Sequence, residues 1–106
     1  MKRITKYESL DSREFEQKLN EHHNAVLLDV RTAAEFRRER IPNAINIDVT
    51  SGGFQTKIAT LDKTKTYFVY CLSGGRSGQA CSLMSNEGLI TYNLSGGISN
   101  WGGDTI

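Results

Sequence analysis

The chain has 106 residues and a mass of 11.8 kDa, which suits one domain spanning 1–106 with a single core. Hydrophobic residues make up 38% and charged residues 24%, a globular balance rather than a disordered one. Net charge is +1, which argues against broad electrostatic binding of nucleic acid, and no apolar run approaches the roughly 18–20 residues that cross a bilayer.

Residues 1–8 carry charge at both ends with no apolar stretch behind them, so no secretory signal is expected. Residues 4–7 could form a first strand. Asp11, with Glu14 three residues on, resembles a capping box, and Phe15 and Leu19 share the face of the helix that follows. Residues 25–30, AVLLDV, form an apolar run of buried-strand length. Thr32 and Glu35 make a second capping box, opening a short helix to about Arg38. Pro42 punctuates the chain before a strand at 44–47. Gly52 and Gly53 mark a loop, and a short helix is expected at about 54–61. Residues 67–70, YFVY, are the most β-prone stretch. A helix at 77–87 stopped by Gly88, a strand at 89–94, and a turn through Gly96 and Gly97 to Trp101 complete the pattern. Strands alternating with helices predict an α/β fold with a mostly parallel sheet. Ligands of such sheets sit beyond the carboxyl ends of the strands, where Asp29 and Cys71 fall.

The segment around Cys71 carries the chemistry. A cysteine ends a buried strand, and Leu72, Ser73, Gly74, Gly75, Arg76 and Ser77 lead into a helix. Gly74 and Gly75 permit positive φ and a tight curl, which can turn loop N–H groups inward as an anion nest. The helix start adds the positive end of its dipole, and Arg76 adds a permanent charge. All three favour a thiolate at Cys71, so Cys71 is the candidate nucleophile. The competing reading, a plain core cysteine, needs no anion nest beside it. Two cysteines are too few for a disulfide scaffold, so they are expected as thiols in a small soluble cytoplasmic protein.

Four segments, in order, resemble the rhodanese family of sulfurtransferases. Asp29, Arg31, Glu35 and Phe36 are similar to its Asp-x-Arg-x-x-x-Glu-Phe/Tyr signature. Ile41, Pro42, Ala44, Ile45, Asn46 and Ile47 match a second segment, with Arg40 in place of the usual His and Asn43 in place of the usual Gly. The loop at 71–77 is the third, and Gly96, Gly97 and Trp101 match the family ending. The resemblance implies a central five-stranded sheet with helices on both faces. It implies a Cys71 persulfide held by the loop N–H groups of residues 72–77, with sulfur taken from a small anionic donor such as thiosulfate. Arg76 would orient that donor, and a thiophilic acceptor would remove the sulfur. No metal or organic cofactor is implied. The alternative is a persulfide relay that exchanges sulfur with a protein donor or acceptor. Related phosphatases have Cys-x5-Arg spacing, one residue longer than the loop from Cys71 to Arg76, which places phosphatase activity behind both.

Asp29, Arg31 and Glu35 invite an acid–base reading, but an ion network tying strand to helix, with Glu35 also capping, is the simpler one. Cys81 falls at the edge of the stripe of Ala80, Leu83 and Met84 and is expected to pack, the sharper option being a resolving thiol. His22 and His23 are adjacent and share no helix face, so an exposed helix end is expected rather than a metal site. Arg37, Arg38 and Arg40 read as a solvated face, or as a rim for an anion or an acidic partner. Trp101 reads as a core plug.

Overall fold

The computed structural model describes residues 7–106. Five strands, β1 (Tyr7–Leu10), β2 (Ala25–Asp29), β3 (Ile45–Asn46), β4 (Thr66–Tyr70) and β5 (Ile90–Leu94), form one sheet in the order β1-β5-β4-β2-β3. Every pairing is parallel. The connections contain α1 (Ser12–Glu21), α2 (Ala33–Arg38), α3 (Phe54–Ala59) and α4 (Gly75–Asn86), and a 3-10 turn at Ile98–Asn100 follows β5. Among the described residues the first strand covers Tyr7–Leu10, and residues 4–6 of the expected strand lie outside the described residues.

β4 lies in the middle of the sheet, and all five of its residues are buried. Its period of two sends Phe68 and Tyr70 to one face and Tyr67 and Val69 to the other. Phe68 and Tyr70 pack with Phe15 of α1, Leu94 and Ile98. Tyr67 and Val69 pack with Phe54 and Ile58 of α3 and with Ala80, Cys81 and Met84 of α4. Helices therefore cover both faces. Cys71 continues the phase of Val69, so its side chain emerges on the α4 side.

α4 buries Ser77, Ala80, Cys81 and Met84, a spacing of three and four residues that makes one helical stripe. Cys81 is fully buried in this stripe rather than at its edge. The helix also begins at Gly75, two residues before the expected start. Gly74 is its N-cap at φ 106°, and Gly75 has no positive φ, so one glycine makes the curl. Asp11 caps α1 through the Glu14 N–H at 2.9 Å. The Thr32–Glu35 box is reciprocal. Asn43 adopts φ 73°, a left-handed value that asparagine tolerates.

Two other expectations need correction. β3 is only two residues long, because it pairs with β2 at Leu28 and Asp29 alone. His22 is half-buried rather than exposed. Its Nδ1 lies 2.8 Å from the Lys18 carbonyl, and its ring meets the edges of Phe68 and Tyr92. The extended backbone that ends α1 at this residue folds the ring onto the sheet, while His23 stays exposed.

Candidate active site

β2 and β4 are neighbours, and their register sets Asp29 beside Tyr70. The chain leaves β4 through Cys71, curls at Gly74 and enters α4. Cys71 is only 1% exposed, yet Leu72, Ser73 and Gly75 around it are exposed. The Gly74 N–H donates to its Sγ at 3.0 Å, and the Ser77 Oγ lies 3.3 Å away. The Ser77 hydroxyl also reaches the Gly74 carbonyl at 3.2 Å, so its single proton is shared between the two acceptors. Burial pushes the Cys71 thiol up, but the Ser77 hydroxyl and the N–H groups of Ser77, Gly74 and Ser73 outweigh it. The thiol ends below its ordinary value.

Arg76 does not stand free beside the sulfur. Its two terminal nitrogens pair with both Glu35 oxygens at 2.8 and 3.0 Å. Arg76 holds the Glu35 carboxyl down at about 2; partial burial opposes this, and the Thr32 N–H and hydroxyl assist it. Glu35 also accepts from the Thr32 N–H and hydroxyl, so one carboxylate caps α2 and braces the start of α4. The pair leaves the Arg76 Nε–H and one N–H on each terminal nitrogen uncommitted to Glu35. Because the Glu35 charge offsets that of Arg76, inward-facing dipoles do more for the sulfur than a bare cation.

Asp29, Arg31 and Glu35 do not form one cluster. Asp29 and Arg31 make their own buried pair, with Arg31 Nη2 2.7 Å from Asp29 Oδ2 and Nε 3.1 Å from both oxygens. Arg31 also donates to the Glu39 carbonyl, and its guanidinium lies over the Tyr70 ring. The Asn46 side-chain amide donates to the Asp29 and Arg31 carbonyls at 2.9 Å each. The Tyr70 hydroxyl accepts from the Ile41 N–H at 3.1 Å and interacts with the Asp29 carboxylate. This network ties β2, β3 and β4 to the Pro42 turn. Sequence reasoning missed Tyr70 as its junction; the one signal was a tyrosine inside an otherwise apolar run.

Cys81 is 0% exposed, and burial pushes its thiol up to about 12, with the neighbouring Thr91 hydroxyl opposing that rise. Both cysteines are free. Arg37 and Arg38 are exposed, while Arg40 lies over the Phe36 ring. Trp101 is half-buried against Phe15, and its Nε1–H donates to the Asp104 carbonyl. Among the described residues, no group of three or more His, Cys, Asp or Glu could hold a metal, and no helix is long and apolar enough to cross a membrane.

Comparison with known proteins places this geometry in a family. The chain is 36% identical over 89 residues to a putative sulfurtransferase, YtwF, of Bacillus subtilis, covering 84% of each. It is 33% identical over 73 residues to the thiosulfate sulfurtransferase PspE of Escherichia coli, covering 69% of this chain and 70% of that one. Its fold superposes on the crystal structure of a rhodanese-related protein from Thermoplasma volcanium with a TM-score of 0.82 at 29% identity, covering 94% of this chain and 98% of the other. The family model for the rhodanese-like domain matches residues 11–104, and the chain belongs to that family.

Proposed function

We propose that the protein is a sulfurtransferase that carries sulfur from thiosulfate, or a similar anionic donor, to a thiophilic acceptor as a persulfide on Cys71. The observation that carries this reading is the set of donors on Cys71 Sγ: the Gly74 N–H at 3.0 Å and the Ser77 Oγ at 3.3 Å. They hold the thiol below its ordinary value despite its burial, which favours the thiolate, and the thiolate is the nucleophile.

The Cys71 thiolate attacks the outer sulfur of thiosulfate. A sulfur–sulfur bond forms at Cys71, the sulfur–sulfur bond of thiosulfate breaks, and sulfite leaves with that bond's electron pair. The terminal sulfur of the persulfide carries the negative charge, and the loop N–H groups of residues 72–77 would hold it, those of Ser73, Gly74 and Ser77 already acting on Cys71. An acceptor such as cyanide then takes the outer sulfur and restores the thiolate. The uncommitted N–H groups of Arg76 orient the sulfonate end of the donor. Asp29 and Arg31 hold the strand ends in place and touch no reacting atom. No step calls for a cofactor or a metal.

The second reading is a relay, in which the donor or acceptor is a protein. Leu72 favours it: this apolar side chain is 46% exposed beside the nucleophile. Phosphoryl transfer fits less well, because the loop from Cys71 to Arg76 is one residue shorter than the Cys-x5-Arg spacing of related phosphatases.

Incubation with thiosulfate followed by intact-mass measurement tests the proposal. The expected result is a gain of one sulfur that disappears on adding cyanide. Loading from a protein persulfide but not from thiosulfate would favour the relay. Turnover of an aryl phosphate with no sulfur gain would overturn both.

A further inference from the structure

The loop that surrounds Cys71 does not hold its shape alone. Residues 95–101 run along its outer side. The Ile98 N–H donates to the Cys71 carbonyl at 2.9 Å, and the Ser99 N–H donates to the Leu72 carbonyl at 3.0 Å. The same segment is anchored to the sheet, with the Ser95 N–H on the Leu10 carbonyl at 2.8 Å and the Gly97 N–H on the Leu94 carbonyl at 3.0 Å.

Peptide geometry makes these outer bonds matter on the inner side. In a trans peptide the C=O and the N–H of one unit point in opposite directions, and no cis bond occurs among the described residues. The Leu72 carbonyl shares its peptide unit with the Ser73 N–H. A donor that pins this carbonyl outward therefore turns the Ser73 N–H inward, where it is one of the groups acting on Cys71. The Cys71 carbonyl and the Leu72 N–H are related in the same way.

The close approach depends on glycine. Gly97 sits at φ 64°, and a Cβ there would fall 2.6 Å from the Cys71 carbonyl oxygen and closer still to that of Leu72. Across the contact, a Cβ on Gly74 at φ 106° would fall 3.2 Å from the Gly96 nitrogen. Two backbones lie against each other with no room for side chains between them.

We propose that residues 95–101 form the outer layer of the sulfur cradle. The Ile98 and Ser99 N–H groups aim the loop peptides at Cys71, and Gly97 is the positioning residue that lets them approach. The inference rests on the reading of Cys71 as the nucleophile and goes beyond it by assigning the aiming of the cradle to a segment that does not touch the sulfur.

The test uses two variants. Gly97→Ala separates the backbones, and replacing the Ser99 amide by an ester deletes one N–H without adding bulk. The readout is the rate of Cys71 alkylation by iodoacetamide across pH, beside the melting temperature. Both variants should slow alkylation at neutral pH about tenfold and move its midpoint to higher pH, as the loss of one charge-assisted hydrogen bond implies. Ile58→Val, a core change on α3, should lower the melting temperature and leave the alkylation profile unchanged. If Gly97→Ala does not fold, the ester decides alone. A folded ester variant with the parent's alkylation profile would overturn the proposal and leave the nucleophile reading intact. An unmodified protein whose Cys71 titrates like a free thiol would overturn both.

Discussion

Cys71 and Cys81 are two thiols in one apolar core cluster, 1% and 0% exposed, yet their surroundings shift them in opposite directions. Cys71 is held below its ordinary value, and Cys81 is pushed up to about 12. Both feel desolvation as the largest single influence. What differs is the supply of donors. Cys71 sits where a strand has ended and a loop curls, so N–H groups are available to face it. Cys81 sits mid-helix, where neighbouring N–H groups are committed to helical bonds, and the nearby Thr91 hydroxyl only partly opposes its rise. Burial tells these thiols apart poorly; the backbone around each sulfur tells them apart well.

The sharpest way to break this contrast is to delete each sulfur in turn. Cys71→Ala should abolish sulfur loading from thiosulfate in the mass assay. Cys81→Ala should load fully and cost about 1 kcal/mol of stability through a small cavity, read as a drop of a few degrees in melting temperature. Equal loss of loading in both variants would end the distinction. The next effect is in reactivity. One equivalent of iodoacetamide should add to the folded protein near neutral pH, at Cys71, with the second added only after denaturation. A Cys71 profile midpoint at or above that of a free thiol would contradict the cradle.

A smaller effect is expected at Arg76. Arg76→Ala should lower kcat/KM for thiosulfate at least about tenfold. It should cost no more than about 1 kcal/mol of stability, because the Arg76 and Glu35 side chains are 29% and 23% exposed and solvent screens the pair. Parallel collapse of activity and melting temperature would make Arg76 a structural brace instead. The smallest effect is in acid. The Glu35 carboxyl is depressed from 4.5 to about 2, so its contribution to stability is complete above pH 4.5 and is lost as pH falls toward 2. Glu35→Gln should reduce the slope of stability against pH in that window by an amount visible in acid melts, whereas identical slopes would show that the carboxyl gains nothing from Arg76.

Much of the framework was legible in the chain because its signals are local. A capping Thr32 with Glu35, an apolar run at 25–30 and a β-prone run ending at Tyr70 each need only neighbours in sequence to be read. The expected start of α4 was late because a glycine reads as a breaker, and Gly75 is in fact helical. The failures are of another kind. His22 looked exposed because its packing partners, Phe68 and Tyr92, are remote in the chain. The partner of the permanent charge at Arg76 could not be read locally either, because Glu35 comes from α2, brought near by the adjacency of β2 and β4.

The amino-acid order by itself determined the alternation of strands and helices, the strand-end position of Cys71 and the small residues that follow it, since propensity, capping and glycine freedom act over a few residues. The tertiary structure alone decided where the peptide hydrogens point. Their direction depends on carbonyls pinned by residues 95–101, on a cation matched by a distant carboxylate and on a parallel sheet that sets those segments side by side, and no short-range preference encodes any of the three.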